Sequence, residues 1–200
     1  MEDPETFTQL PLHLDPQSKA LSTSSSSRAL QEELTLLNTL HRQLLTLETP
    51  SPPPPVPVNP KRSAQITKLR ESGNADFRKS LFPSAIKLYT LAIQMALTRP
   101  PWEPVGLVRE EIAGLYANRS QAHMALGSWV EGWVDAELSV ESKRSGNVKG
   151  WWRGGRCLLE MGRLEEAAAW VKEGLEVEGG ERELVELGVE VEKKIAGGKE

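Results

Sequence analysis

Three blocks decide how this chain is read: Leu69-Arg70-Glu71-Ser72-Gly73-Asn74, Tyr116-Ala117-Asn118-Arg119-Ser120-Gln121 and Trp151-Trp152-Arg153-Gly154-Gly155-Arg156. Each opens on a bulky residue and places a small one four positions later, at Gly73, Ser120 and Gly155. Sixteen positions after the bulky residue come Ala85, Gly132 and Ala167, and seven beyond those come Ala92, Ser139 and Gly174. Small residues at such spacings let the two helices of a hairpin approach closely, and the bulky ones fill the space between successive hairpins. The second and third blocks are 35 residues apart and the first and second 47, so one connection is long. The excess falls in Met95–Glu110, which holds Pro100-Pro101-Trp102-Glu103-Pro104. This stretch is expected to lengthen the second helix of the first hairpin and then to turn sharply. Downstream, Leu184, Leu187, Val191 and Ile195 recur at helical spacing within Glu181–Ala196, as a terminal capping helix would require.

Residues 62–178 thereby resemble three tetratricopeptide (TPR) repeats, whose period is about 34 residues. Gly73, Ala85, Tyr89, Ala92, Gly155, Ala167 and the Gly162-Arg163-Leu164-Glu165-Glu166-Ala167 turn match the family pattern. Asp76 stands where a bulky residue is usual, Gly132 and Ser139 replace alanine, and Gly174 also departs. The fold class implied is mainly α: a three-repeat TPR helical-hairpin array with a C-terminal capping helix, plus a small N-terminal strand/helix appendage.

On the first helix of each repeat, residues four apart share a face. Arg70 and Asn74 do so on the first such helix, Lys149 and Arg153 on the third, and Asn118 stands on the middle one. Position by position these five match the dicarboxylate clamp of a TPR subclass, which grips the free C-terminal carboxylate and adjacent aspartate of heat-shock chaperone tails. The family usually has lysine where this chain has Arg70, which keeps the charge with a different donor geometry. Two carboxylates leaving water need cationic and amide donors in its place, and three cations with two carboxamides supply them. Phe77 and Trp152 are expected to form apolar pockets for upstream tail residues, and Arg156 to meet further acidic groups. Arg119 and Arg78 read as surface or inter-repeat residues.

The composition restricts the alternatives. The 200 residues are 38 % hydrophobic and 26 % charged with a net charge of −4, which argues against wholesale disorder and against an overall basic field for nucleic acid. No apolar run approaches the ~20 residues that span a bilayer, and the acidic start Met1-Glu2-Asp3-Pro4-Glu5 lacks the features of a secretory signal. Cys157 is the one cysteine and lies in an apolar run, so it reads as core and suits a reducing compartment. His13, His41 and His123 are scattered without metal-ligand spacing, and Gly150, Gly154 and Gly155 are not followed by the Lys and Ser/Thr of a phosphate loop. No catalytic residues, cofactor or metal are expected. With only a short tail ending in Lys199 and Glu200 following the expected capping helix, no catalytic domain is expected there either.

Seven prolines between Pro50 and Pro60 mark a boundary, since each fixes φ and removes an amide donor. The run reads as an extended spacer or, alternatively, as a ligand for an SH3-like or WW-like module. Before it, Thr6–Asp15 alternates as a strand would, Asp15-Pro16-Gln17-Ser18 has turn chemistry, and Lys19–Thr23 suits a short return strand. Leu30, Leu34, Leu37, Leu40, Leu44, Leu45 and Leu47 then follow a helical period. So small a unit makes a poor independent core, and its leucine face is expected to dock on another subunit or fold back on the rest of the chain. Residues 1–60 carry three basic and seven acidic side chains, whereas 61–200 are balanced at twenty-one each. The expected organisation is an N-terminal region at 1–49, a proline-rich linker at 50–61, three repeats at 62–178, and a capping helix with tail at 179–200.

The whole arrangement resembles the fungal cytosolic TPR subunit of the post-translational protein-translocation complex of the endoplasmic reticulum. That resemblance implies a non-catalytic adaptor on the cytosolic face of the membrane. Its N-terminal region would hold a membrane-anchored partner subunit, and its groove would receive the acidic tails of cytosolic chaperones of the seventy-kilodalton class. A soluble TPR co-chaperone and a regulatory TPR subunit of a separate enzyme are the alternatives.

Overall fold

A computed structural model describes residues 12–47 and 51–197. The chain divides into two compact units, Met1–Pro55 and Val56–Glu200, and each is treated by itself.

In the first unit, β1 (Leu12–Leu14) pairs antiparallel with β2 (Leu21–Thr23), Leu12 opposite Thr23 and Leu14 opposite Leu21. The strands are shorter than the alternation suggests, and residues 6–11 of the expected first strand lie outside the described residues. The turn forms because Asp15 Oδ1 accepts from the backbone N–H groups of Gln17 and Ser18 at 2.8 and 2.6 Å. The same bonds, Ser18 foremost, hold the Asp15 carboxyl below its ordinary pKa. Helix α1 (Arg28–Leu45) is tied to β2 by Asn38, which accepts from the Leu21 N–H at 2.7 Å and donates to its carbonyl at 2.8 Å. Among the described residues of α1 only Leu34 is buried, while Leu36 and Leu45 are 66 % and 54 % exposed. The unit therefore pins its register with polar bonds and leaves most of its leucine surface uncovered.

The second unit is a row of helical hairpins. They are α2 (Pro60–Arg78) with α3 (Phe82–Leu97), α4 (Val105–Ala125) with α5 (Trp129–Ser142), and α6 (Val148–Glu160) with α7 (Leu164–Glu178). A last helix, α8 (Arg182–Gly197), covers α6 and α7. Pro60 sits in the first turn of α2, where its missing N–H is not needed, and the Asn59 side chain caps the helix by accepting from Lys61 N–H at 3.0 Å. Asn147 caps α6 and also donates to Ser139 Oγ and the Lys143 carbonyl, both at 3.0 Å, fixing where α6 starts.

The repeat shows in the backbone of the turns. Ser80, Gly127 and Gly162 all have φ near +60 to +73°, and they are spaced by the same 47 and 35 residues as the sequence blocks. In each turn the next residue's N–H reaches back to the carbonyl of residue 76, 123 or 158 at 3.0 Å. This is the left-handed C-cap that satisfies orphan helix carbonyls.

The departures from the repeat pattern have local reasons. Gly132 packs against Cys157, since a Cβ there would stand 2.9 Å from the sulfur. The Ser139 hydroxyl is buried but donates to the Ala113 carbonyl at 2.8 Å, and Asp76 accepts from Ser84 Oγ at 2.6 Å across the first hairpin. The long connection behaves differently from the expectation. Helix α3 stops at Leu97 and is only 16 residues long, so the extra residues form the turn at 98–104 and the early part of the 21-residue α4. The turn is held from inside by Arg99, whose side chain is almost wholly buried against Glu103, Glu111 and Ser63. These partners give α4 a reason to begin early.

A groove lined by three helices

The first helices of the repeats, α2, α4 and α6, lie side by side and border an open cavity of about 540 Å³. From α2 come Arg70, Asn74 and Glu71; from α4, Asn118, Gln121, Ala117 and Gly114; from α6, Lys149 and Arg153, with its cap Asn147. All five residues expected of the clamp thus border one space, although they lie up to 83 positions apart in the chain.

Gly73 is central to how Asn74 is set. A Cβ at Gly73 would come within 2.6 Å of the Tyr89 ring, so glycine admits that ring between α2 and α3. The Tyr89 hydroxyl then donates to Asn74 Oδ1 at 2.8 Å, and Asn118 Nδ2 donates to the same oxygen at 3.1 Å. With its oxygen doubly occupied, Asn74 has its amide nitrogen left as a donor for the cavity it borders.

Arg153 is the most constrained group. It is 6 % exposed, its Nη2 donates to Gln121 Oε1 at 2.6 Å, and its Nη1 is buried without a partner. Burial, partly offset by the field of Tyr89 and Glu183, pushes its pKa down to about 10. Among the described residues no carboxylate lies within ion-pair distance of Arg70, Lys149 or Arg153. Several other arginines of this unit are paired with carboxylates: Arg119 is bidentate to the buried Asp135 at 2.8 and 2.7 Å and also donates to Thr90. The space between the three helices is therefore electropositive and rich in amide donors, with Glu71 the one acidic side chain on its border. Such a surface suits an anion that brings its own acceptors.

The auxiliary positions are elsewhere. Phe77 packs in the first hairpin with its ring 5.3 Å from that of Phe82. Trp152 joins the apolar clusters beneath α7 and α8. Arg156 lies over the Trp152 ring at 5.5 Å and is bidentate to Glu190 of α8 at 2.8 Å on both nitrogens, with Glu160 at 3.5 Å. None of the three borders the cavity. The expectation that Arg156 is free for acidic groups is corrected: an acid on the capping helix, 34 residues away, already holds it.

Gln121 and Asn147 are polar groups on the cavity that the repeat positions did not single out, and Tyr89, which they did, was not read as part of the site. Gln121 was within reach of the argument, since it lies one turn from Asn118 on the same helix face. Cys157 is fully buried, and burial raises its thiol to about 12. No group of three potential metal ligands occurs among the described residues, nor is any helix there long and apolar enough to cross a membrane.

No family model matches the chain. It is 37 % identical over 126 residues to the ER protein translocation subcomplex subunit sec67 of Schizosaccharomyces pombe, a match covering 63 % of this chain and 65 % of that protein. The fold superposes, at a TM-score of 0.75 and 24 % identity, on a chain in the cryo-EM structure of the Sec complex from S. cerevisiae, over 93 % of this chain and 98 % of that one. The first TPR of Spaghetti (RPAP3) bound to the HSP90 peptide SRMEEVD matches at a TM-score of 0.54 and 25 % identity, over 67 % of this chain and 95 % of that one. Three stacked hairpins with a capping helix, together with these likenesses, give the chain a tetratricopeptide-repeat fold similar to that of the sec67 subunit, of which it spans 65 %.

Proposed function

We propose that the chain is a non-catalytic adaptor of post-translational protein translocation into the endoplasmic reticulum. In this reading the groove holds the acidic C-terminal tail of a cytosolic heat-shock chaperone of the seventy-kilodalton class. The observation that carries it is the convergence of Arg70, Asn74, Asn118, Lys149 and Arg153 on one cavity whose cations have no carboxylate partner among the described residues. A tail ending in a free aspartate brings two carboxylates, and each charge-assisted bond contributes about 1.5–3 kcal/mol. After the cost of ordering a flexible peptide, a net of about −8 kcal/mol corresponds to micromolar affinity. The relative that bears the name of a translocation subunit and the structural neighbour holding a chaperone peptide ending in Glu-Glu-Val-Asp support the same assignment.

The first unit supplies the second interface. Its exposed Leu36 and Leu45, on a helix with one buried leucine, suit a membrane-anchored partner subunit, which would place the protein on the cytosolic face of the membrane. Fluorescence anisotropy with a labelled peptide ending in Glu-Glu-Val-Asp tests the groove. Binding in the micromolar range that is lost in Lys149→Ala supports the clamp, and equal binding of the amidated peptide refutes it. Sedimentation with microsomes tests the anchor: Leu36→Asp with Leu45→Asp should release the protein into the supernatant while leaving peptide affinity unchanged.

A further inference from the structure

Between α4 and α6, Gln121 Oε1 accepts from Arg153 Nη2 at 2.6 Å, and Gln121 also borders the cavity. The bond fixes which way the amide is turned, because only the oxygen can face a guanidinium. Both N–H groups of Nε2 are then left for the cavity, and among the described residues they have no hydrogen-bond partner. The acceptor also matters to Arg153. It holds one end of a guanidinium that is 6 % exposed and leaves Nη1, buried and unpartnered, among the donors that remain.

Resting on the clamp reading above, we infer that Gln121 is a sixth carboxylate-binding residue: it positions Arg153 by accepting from Nη2 and donates from its own Nε2 to the same carboxylate that Nη1 receives. A carboxylate oxygen accepts more than one hydrogen bond, so two adjacent donors from different helices can share one group without competing for it. A neutral side chain is required for this. A carboxylate at position 121 would satisfy Arg153 more strongly, yet it would cancel the charge the ligand needs and set a like charge beside it.

The test compares wild type, Gln121→Ala, Gln121→Glu and Lys149→Ala in the full chain. Each is titrated with a labelled peptide ending in Glu-Glu-Val-Asp, as the free acid and as the C-terminal amide, and each is melted without peptide. Gln121→Ala is expected to weaken free-acid binding about 10- to 150-fold, the loss of one charge-assisted bond. Gln121→Glu is expected to weaken it at least 50-fold while the melting temperature holds or rises, because the glutamate pairs with Arg153. A purely structural role could not produce lower affinity together with undiminished stability. Free-acid affinity within twofold of wild type in both Gln121 variants, with Lys149→Ala still abolishing binding, overturns the role of Gln121 and leaves the clamp standing. A wild type that binds acid and amide alike overturns the clamp and this inference with it.

Discussion

Replacing Arg153 with methionine should make the protein more stable and functionally empty. The guanidinium is 6 % exposed and burial brings its pKa down to about 10, a drop equivalent to roughly 3 kcal/mol disfavouring the charge in the folded state. Against that stands one hydrogen bond from the charged guanidinium to Gln121, worth about 1.5 kcal/mol at the low end for a charged donor. Methionine matches the apolar stem without the charge, so Arg153→Met should gain up to about 1.5 kcal/mol at neutral pH, provided the side chain packs where the arginine did. The sign against pH follows from the same shift. Between pH 10 and the arginine's ordinary pKa the unfolded chain binds a proton that the folded one does not, so wild-type stability should climb with pH there and the variant's should not. Urea titration at neutral pH reads the stability, and anisotropy with the free-acid peptide reads the binding. A variant destabilised by more than about 1 kcal/mol, or one that still binds the peptide, would refute the reasoning, since the charge would then be neither costly in the empty groove nor needed in the filled one.

Gly114 borders the cavity from the middle of α4, and a Cβ there meets nothing within 4 Å. Gly114→Ala should therefore stabilise the protein by about 0.5–1 kcal/mol from helix propensity alone, whereas Gly114→Glu should fold equally well and lose the acidic peptide, both checked by thermal melts and anisotropy. Ser80 holds φ at +60° where the equivalent turns have Gly127 and Gly162, so Ser80→Gly should raise stability in urea titration by about 1 kcal/mol. Arg156 keeps the Glu190 carboxyl below its ordinary pKa through their hydrogen bond. That contribution is present above the unfolded pKa of the glutamate and is lost as pH falls through the folded one. Arg156→Ala should thus flatten the acid limb of the stability profile below about pH 4.5 and leave peptide affinity unchanged.

The hairpins were legible because their packing depends on residue size at fixed spacing: Gly73, Ser120 and Gly155 mark one set of close approaches and Ala85, Gly132 and Ala167 another. The five groove positions came from matching that register to the clamp of the family the chain resembles, and the repeat explains why they face one space. What escaped were contacts across long sequence distances with no period of their own. Arg156 has the charge and helix face of a ligand residue, and only the position of α8 shows that Glu190 occupies it. Arg99 likewise gave no sign that it would organise the long turn, because its partners Ser63 and Glu111 come from different helices. Gln121 was missed for a smaller reason: its role depends on which end of its amide meets Arg153.

The most direct measurement is a proton–nitrogen correlation titration of the full chain with the free-acid peptide, following side-chain amide signals. The account predicts that Asn74, Asn118 and Gln121 shift together and saturate at one concentration, and that the amidated peptide leaves them in place. Shifts confined to residues outside the groove, or an identical response to the amide, would contradict it.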